Sequence, residues 1–251
     1  EKDGNGDTVL MWVIKEGHTQ VVQMLLDKGA SLDKQHKHGD TALMRASENN
    51  HTKVVKLLLD KGASVDVKNE YGNTALLQAS QRGHTKVVKL LLERNALVDG
   101  NAGRNGSALI RASEYGCTDV VKLLLGKGAS VNEQDHSYGW TALMWASWEG
   151  HTEVVQLLLD RNASLEQTAH DGDTALMLAS QTDHIEVMKL LLNKGASVDV
   201  ENDYGNTALL QAMDRGHTEV MKLLLEKGAL IDGDAERDGT ALMRASAYGR
   251  T

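Results

Sequence analysis

The chain has 251 residues, 41% apolar and 25% charged, and a net charge of -8 at pH 7. That acidic balance argues against broad binding to nucleic acid or anionic membrane surfaces, both of which call for a basic patch. The single cysteine, Cys117, has no disulfide partner, which fits a reducing cytoplasm, and no apolar run approaches a membrane span.

Taken in chain order, the predicted elements repeat. The phrase T-A-L-M/L-x-A-S begins at Thr8 (as TVLM), Thr41, Thr74, Ser107 (as SALI), Thr141, Thr174, Thr207 and Thr240, at intervals of 33 residues except for 34 between Ser107 and Thr141. Each phrase predicts a short helix. Thr141 is placed to N-cap TALMWASWE, whose Leu143 and Ala146 lie one turn apart on a single face. This helix is predicted to stop at Gly17, Asn50, Gly83, Gly116, Gly150, Asp183, Gly216 and Gly249, residue types that tolerate a left-handed backbone. A second helix over VVxLLL is predicted to end by the same logic at Gly29, Gly62, Asn95, Gly128, Asn162, Gly195 and Gly228. A finger follows, turning at motifs such as EYGN (Glu70 to Asn73). One such unit cannot bury its own apolar face, so the units must stack into a solenoid.

A longer period lies above the first. Trp12 returns as Trp145, Tyr71 as Tyr204, Gln78 as Gln211, Arg111 as Arg244 and Tyr115 as Tyr248, all 133 residues apart. Repeats one to four therefore read as a block duplicated in repeats five to eight, with the extra residue in the finger near Asp135 to Ser137. Residue 1 falls inside a finger and Thr251 falls where a second helix would start, so the expectation is a piece of a longer array.

The 33-residue period and its wording resemble the ankyrin repeat over nearly the whole chain, as seven full units and half of an eighth. The resemblance implies an all-α solenoid of stacked helix-turn-helix repeats with short β-hairpin-like fingers, forming one domain over residues 1–251. It also implies a non-enzymatic scaffold that holds a protein or an extended peptide, without a cofactor and without membrane insertion. The family's helix usually opens T-P-L-H. Here Ala (Val9 in the first unit) replaces the proline, and Met, Leu or Ile replaces the histidine, as at Met44, Leu77 and Ile110. Ala is the best helix former, so the first change costs little. The second is expected to exchange a polar link for apolar packing.

Several patterns invite a chemical reading. His18, His51, His84, His151, His184 and His217 sit at one turn of successive repeats, too far apart to share a metal ion. His36, His38 and Asp40 in HKHGD lack an evident fourth ligand. GKGAS at Gly126 to Ser130 ends a helix, whereas phosphate loops precede one. Cys117 has no activating partner. In proteins of the family that the chain resembles, the residue after G-A-x-V can be hydroxylated, and Asn132 is the only asparagine there, which makes it the candidate site. The remaining hypotheses are a small-ligand module for a phosphorylated nucleotide and an engineered or truncated scaffold without a natural partner.

The resemblance further implies that partners meet the finger tips and the exposed, concave face of the first helix. All nine aromatic residues fall at those places: Trp12, Tyr71, Tyr115, Tyr138, Trp140, Trp145, Trp148, Tyr204 and Tyr248. The same rows carry Arg45, Arg82, Arg111, Arg215 and Arg244, beside Gln78. Trp, Tyr and Arg are enriched among binding hot spots. The expected centre is Arg111, Tyr115, Tyr138, Trp140, Trp145 and Trp148, with the alternative that Trp12 and Trp145 lean on the neighbouring repeat as half-core residues or that arginines pair with local Glu114 or Glu149.

Overall fold

The computed structural model describes residues 4, 6–100 and 106–231. The described residues form fourteen α-helices in two compact units. In the first, Glu1–Ser130, the pairs are α1 (Val9–Lys15) with α2 (Thr19–Asp27), α3 (Ala42–Glu48) with α4 (Thr52–Asp60), α5 (Ala75–Gln81) with α6 (Thr85–Glu93), and α7 (Ala108–Glu114) with α8 (Thr118–Gly126). In the second, Val131–Thr251, they are α9 (Ala142–Trp148) with α10 (Thr152–Leu159), α11 (Ala175–Gln181) with α12 (Ile185–Asn193), and α13 (Ala208–Arg215) with α14 (Thr218–Glu226). First helices pack on first helices: α1, α3, α5 and α7 in one unit, and α9, α11 and α13 in the other.

The start and stop signals act as their chemistry predicts. The Thr41, Thr74, Thr141, Thr174 and Thr207 hydroxyls each accept the N–H three residues on, a cap generally worth about 1 kcal/mol. Ser107 caps α7 without this side-chain bond. At the stops, Asn50, Asn95, Asn162 and Asp183 have φ of 58, 59, 60 and 62°, the left-handed conformation expected where the other repeats carry glycine. Gly249 and Thr240 lie outside the described residues.

The row that replaces the family's histidine is apolar and buried: Met44, Leu77, Ile110, Met144 and Met177 are each at most 3% exposed. Two of its sulfurs also act as weak acceptors, Met144 Sδ for the Thr141 N–H at 3.4 Å and Met177 Sδ for the Thr174 N–H at 3.5 Å. Turn histidines bridge successive repeats. The ring Nε2 of His84 donates to the Glu48 carbonyl at 2.9 Å and that of His217 to the Gln181 carbonyl at 3.0 Å, tying each turn to the preceding repeat. Cys117 takes the place of one of these rings, and burial raises its thiol pKa, which keeps it in the unreactive protonated form. His36 is buried, and burial lowers its pKa. Among the described residues no group of three His, Cys, Asp or Glu is arranged to hold a metal ion.

Beyond the second helices a row of side chains staples each repeat to the next. The carboxylates of Asp66, Asp99, Glu166 and Asp199 accept the backbone N–H of Leu97, Ser130, Ser197 and Leu230 at 2.9 to 3.0 Å. Asn132 holds the same place, its Oδ1 accepting the Ser164 N–H at 2.8 Å.

The fingers are turns. No strand forms among the described residues, and an isolated antiparallel bridge joins Gln134 to Thr141. Neighbouring tips are linked by single backbone bonds, Glu70 N–H to the His38 carbonyl, His170 N–H to Tyr138 and Asp203 N–H to Asp171, at 2.9 to 3.0 Å. Such a link requires close approach. A Cβ on Gly172, whose φ is +83°, would stand 2.6 Å from the Asp203 backbone nitrogen, whereas one on Gly195, at φ +95°, would meet nothing within 4 Å. Gly195→Ala should therefore lose about 1 kcal/mol through backbone strain alone, and Gly172→Ala more than about 2 kcal/mol. Urea denaturation of both variants checks the order; equal losses would mean the tip link contributes nothing.

Candidate functional site

Finger five, the longest, is built around Asp135. In four other fingers the rung that closes the turn runs from residue i to residue i+4, as from the Asn69 N–H to the Asn73 carbonyl. Here it runs from the Asp135 N–H to the Trp140 carbonyl, so the extra residue predicted near Asp135 to Ser137 is taken up inside the turn. Asp135 is 3% exposed, and its Oδ1 accepts the N–H groups of Ser137, Tyr138 and Gly139 at 3.0, 2.7 and 3.1 Å. Its Oδ2 accepts the Trp145 Nε1–H at 2.8 Å. One buried carboxylate thus fixes both the tip and the indole beneath it.

Four rings gather on that support. Trp140 lies 4.5 Å from Trp145 and 5.5 Å from Trp148 between ring centroids, and Tyr138 lies 5.6 Å from Trp140 and 5.9 Å from Trp145. The tilted and edge-on angles are those favoured by aromatic quadrupoles. The three tryptophans are half-buried, while Tyr138 is 56% exposed. They are neither core side chains nor isolated exposed rings. Trp145 is the most committed to the fold, through its bond to Asp135. Its counterpart Trp12 is 61% exposed.

The rings line an open cleft of about 700 Å³. Asp171, Asp173, Asp203 and Leu178 line the same cleft. Asp173 is buried, accepting Asn202 Nδ2–H at 2.6 Å and Gln211 Nε2–H at 2.8 Å on Oδ1, and Gln181 Nε2–H at 2.9 Å on Oδ2. Burial raises its pKa, the three amide donors oppose that, and the neighbouring Asp171 charge adds to the rise.

The remaining expected residues are dispersed. Arg111 and Tyr115 belong to the first unit, where the Arg111 guanidinium pairs with Glu114, donates to the Tyr115 hydroxyl at 3.1 Å and lies 5.2 Å from that ring's centre. The expected local pairing with glutamate is therefore present for Arg111. Arg82 pairs with Glu48 at 2.9 Å, and Arg45 lies 3.4 Å from Asp40 and 4.0 Å from Asp7. Gln78 is buried and accepts from Gln81. Tyr71, Tyr204 and Arg215 are exposed. Arg244 and Tyr248 lie outside the described residues. Sequence reasoning missed Asp135, Asp171, Asp173, Leu178 and Asp203. The signal for two of them was available: across the 133-residue offset, Asp173 matches Asp40 while Leu178 stands where the first block has Arg45.

Short helix pairs, left-handed stops and side-chain staples between successive units define a stacked helical-repeat protein. A sequence model of ankyrin repeats in three copies matches residues 1–69, 64–135, 107–171, 130–202, 164–235 and 198–251, and the chain belongs to the ankyrin repeat family. The crystal structure of the human ASB11 ankyrin repeat domain is similar in fold, with a TM-score of 0.76 and 23% identity over 89% of this chain and 99% of that one. A search of curated proteins found no match. Ankyrin repeats are general protein-interaction modules. Among the described residues no helix is long and apolar enough to cross a membrane.

The raised Asp173 pKa fixes the sign of a pH effect. A folded chain that holds this proton more tightly than the unfolded chain gains stability below the ordinary carboxylate value and loses it as pH rises through the raised one. Relative to Asp173→Asn, the wild type should therefore gain unfolding free energy as pH falls from neutral to about 4. Urea denaturation at both pH values measures this; a constant difference would contradict it.

Proposed function

We propose that the chain is a non-enzymatic scaffold that binds a protein or an extended peptide along its fingers and first helices. The observation that carries this reading is the four-ring cluster of Tyr138, Trp140, Trp145 and Trp148 beside an open cleft. Rings held by one another and by Asp135 lose little freedom when a partner covers them, which favours their use as anchors. Arg111 with Tyr115 is a second preordered pair. Trp12 and Tyr71 in the first unit and Tyr204 in the second are exposed rings that offer further contacts, as do the polar side chains of Arg45, Arg82 and Gln78 in the first unit and Arg215 in the second. The lone, partly buried cysteine favours a cytoplasmic setting. A phosphorylated nucleotide is disfavoured at the cleft, since carboxylates line it and would repel phosphate.

Panning a random-peptide display library on the purified chain tests the proposal. Enriched peptides should lose binding to the Tyr138→Ala/Trp148→Ala variant, whose melting temperature should stay within about 4 °C of the wild type. Trp145→Ala should melt lower, because it leaves Asp135 Oδ2 without its donor. Peptides that bind the double variant unchanged would reject the cluster as the anchor.

Asn132 is proposed as a hydroxylation site on its exposure and its unique place in the staple row. Treatment with an asparaginyl hydroxylase should add one oxygen to the Asn132 peptide by mass; no added mass would end the idea.

A further inference from the structure

The two blocks treat the same carboxylate differently. In the first, Asp40 accepts Asn69 Nδ2–H at 2.7 Å and faces the Arg45 guanidinium at 3.4 Å. In the second, Asp173 keeps the matching asparagine, Asn202, but Leu178 occupies the position of Arg45. Asp173 is left with amide donors and no cation. Asp171 and Asp203 stand beside the same cleft, and no lysine or arginine among the described residues lines it. The indoles of Trp140 and Trp148 line the same cleft, and the indole is the ring that attracts a cation most strongly through its face. A carboxylate group without an internal cation, lining one open cleft together with indole rings, is complementary to a positive charge on an aliphatic stem.

We infer that this cleft receives a cationic side chain, lysine or arginine, from an extended peptide. Its head sits among Asp171, Asp173 and Asp203, and its stem or guanidinium plane lies against the indoles. The inference rests on the reading of the cleft as a protein-binding surface, and it adds the chemistry of the residue that binds there. An incoming cation does for Asp173 what Arg45 does for Asp40.

The full chain would be titrated with blocked peptides that are identical except for a central arginine, lysine, norleucine or glutamate, followed by calorimetry and by tryptophan emission. Arginine and lysine peptides should bind at least about tenfold more tightly than the norleucine peptide and should weaken as salt is raised to about 0.5 M. The finger variant Asp171→Lys/Asp203→Lys should lower their affinity at least about tenfold and leave the norleucine peptide unaffected. Leu178→Arg, which restores the first block's arrangement, should likewise block cationic peptides. Because Leu178 is buried, its unfolding is measured alongside, and the finger variant carries the test if Leu178→Arg does not fold. Norleucine or glutamate peptides binding as tightly as arginine would overturn the inference while leaving the protein-binding reading standing. Failure of every peptide to bind or to perturb the tryptophans would remove both.

Discussion

Ala146 and Ser147 on α9, and Ala179 and Ser180 on α11, form a row of small residues without solvent exposure, on first helices that pack against one another. Ser180 Oγ donates to the Ala208 carbonyl of the next first helix at 3.0 Å. Helices of seven to nine residues are too short to persist alone in water. Each is stable only because the next one covers it, and the small row lets that cover come close. The left-handed stops set where each helix turns back, and the staple row and finger links repeat the register at either side of the stack.

On that frame the surface positions are free to vary, and the second unit uses the freedom in one place. A finger residue buried for structural reasons, Asp135, holds Trp145, Trp145 packs on Trp140, and Trp140 packs on Trp148 and Tyr138. The cluster is as ordered as a small core while remaining open to a cleft. Within the cluster the ties to the fold differ by residue: Trp145 is bonded to Asp135, whereas the Tyr138 ring is exposed.

The fold was legible because its signals are local and recur. Thr caps, left-handed Asn and Asp, and apolar spacing act within a few residues, and repetition at 33 residues removes ambiguity from each. The tryptophans were also legible as a group, from their placement alone. Their contacts with one another were less so, since Trp140 reaches Trp148 only through the geometry of a finger folding onto a helix. The acidic wall was invisible for a different reason. Asp173 and Asp203 come from later repeats, and an aspartate beside a turn normally reads as a turn former. Its meaning depends on an absence at Leu178, which shows only against Arg45.

The turn at Asp135 has a consequence for how such chains diversify. The added residue lies inside a rung and a bridge, Asp135 to Trp140 and Gln134 to Thr141, that return the backbone to phase before α9 begins. A length change at a finger tip is therefore insulated from the helices on either side. The tip behaves as a cassette: loops of different length and composition, including ones grafted by design, should be exchangeable between repeats so long as the residue at each end still closes its rung and the tip keeps its backbone link to the neighbouring finger.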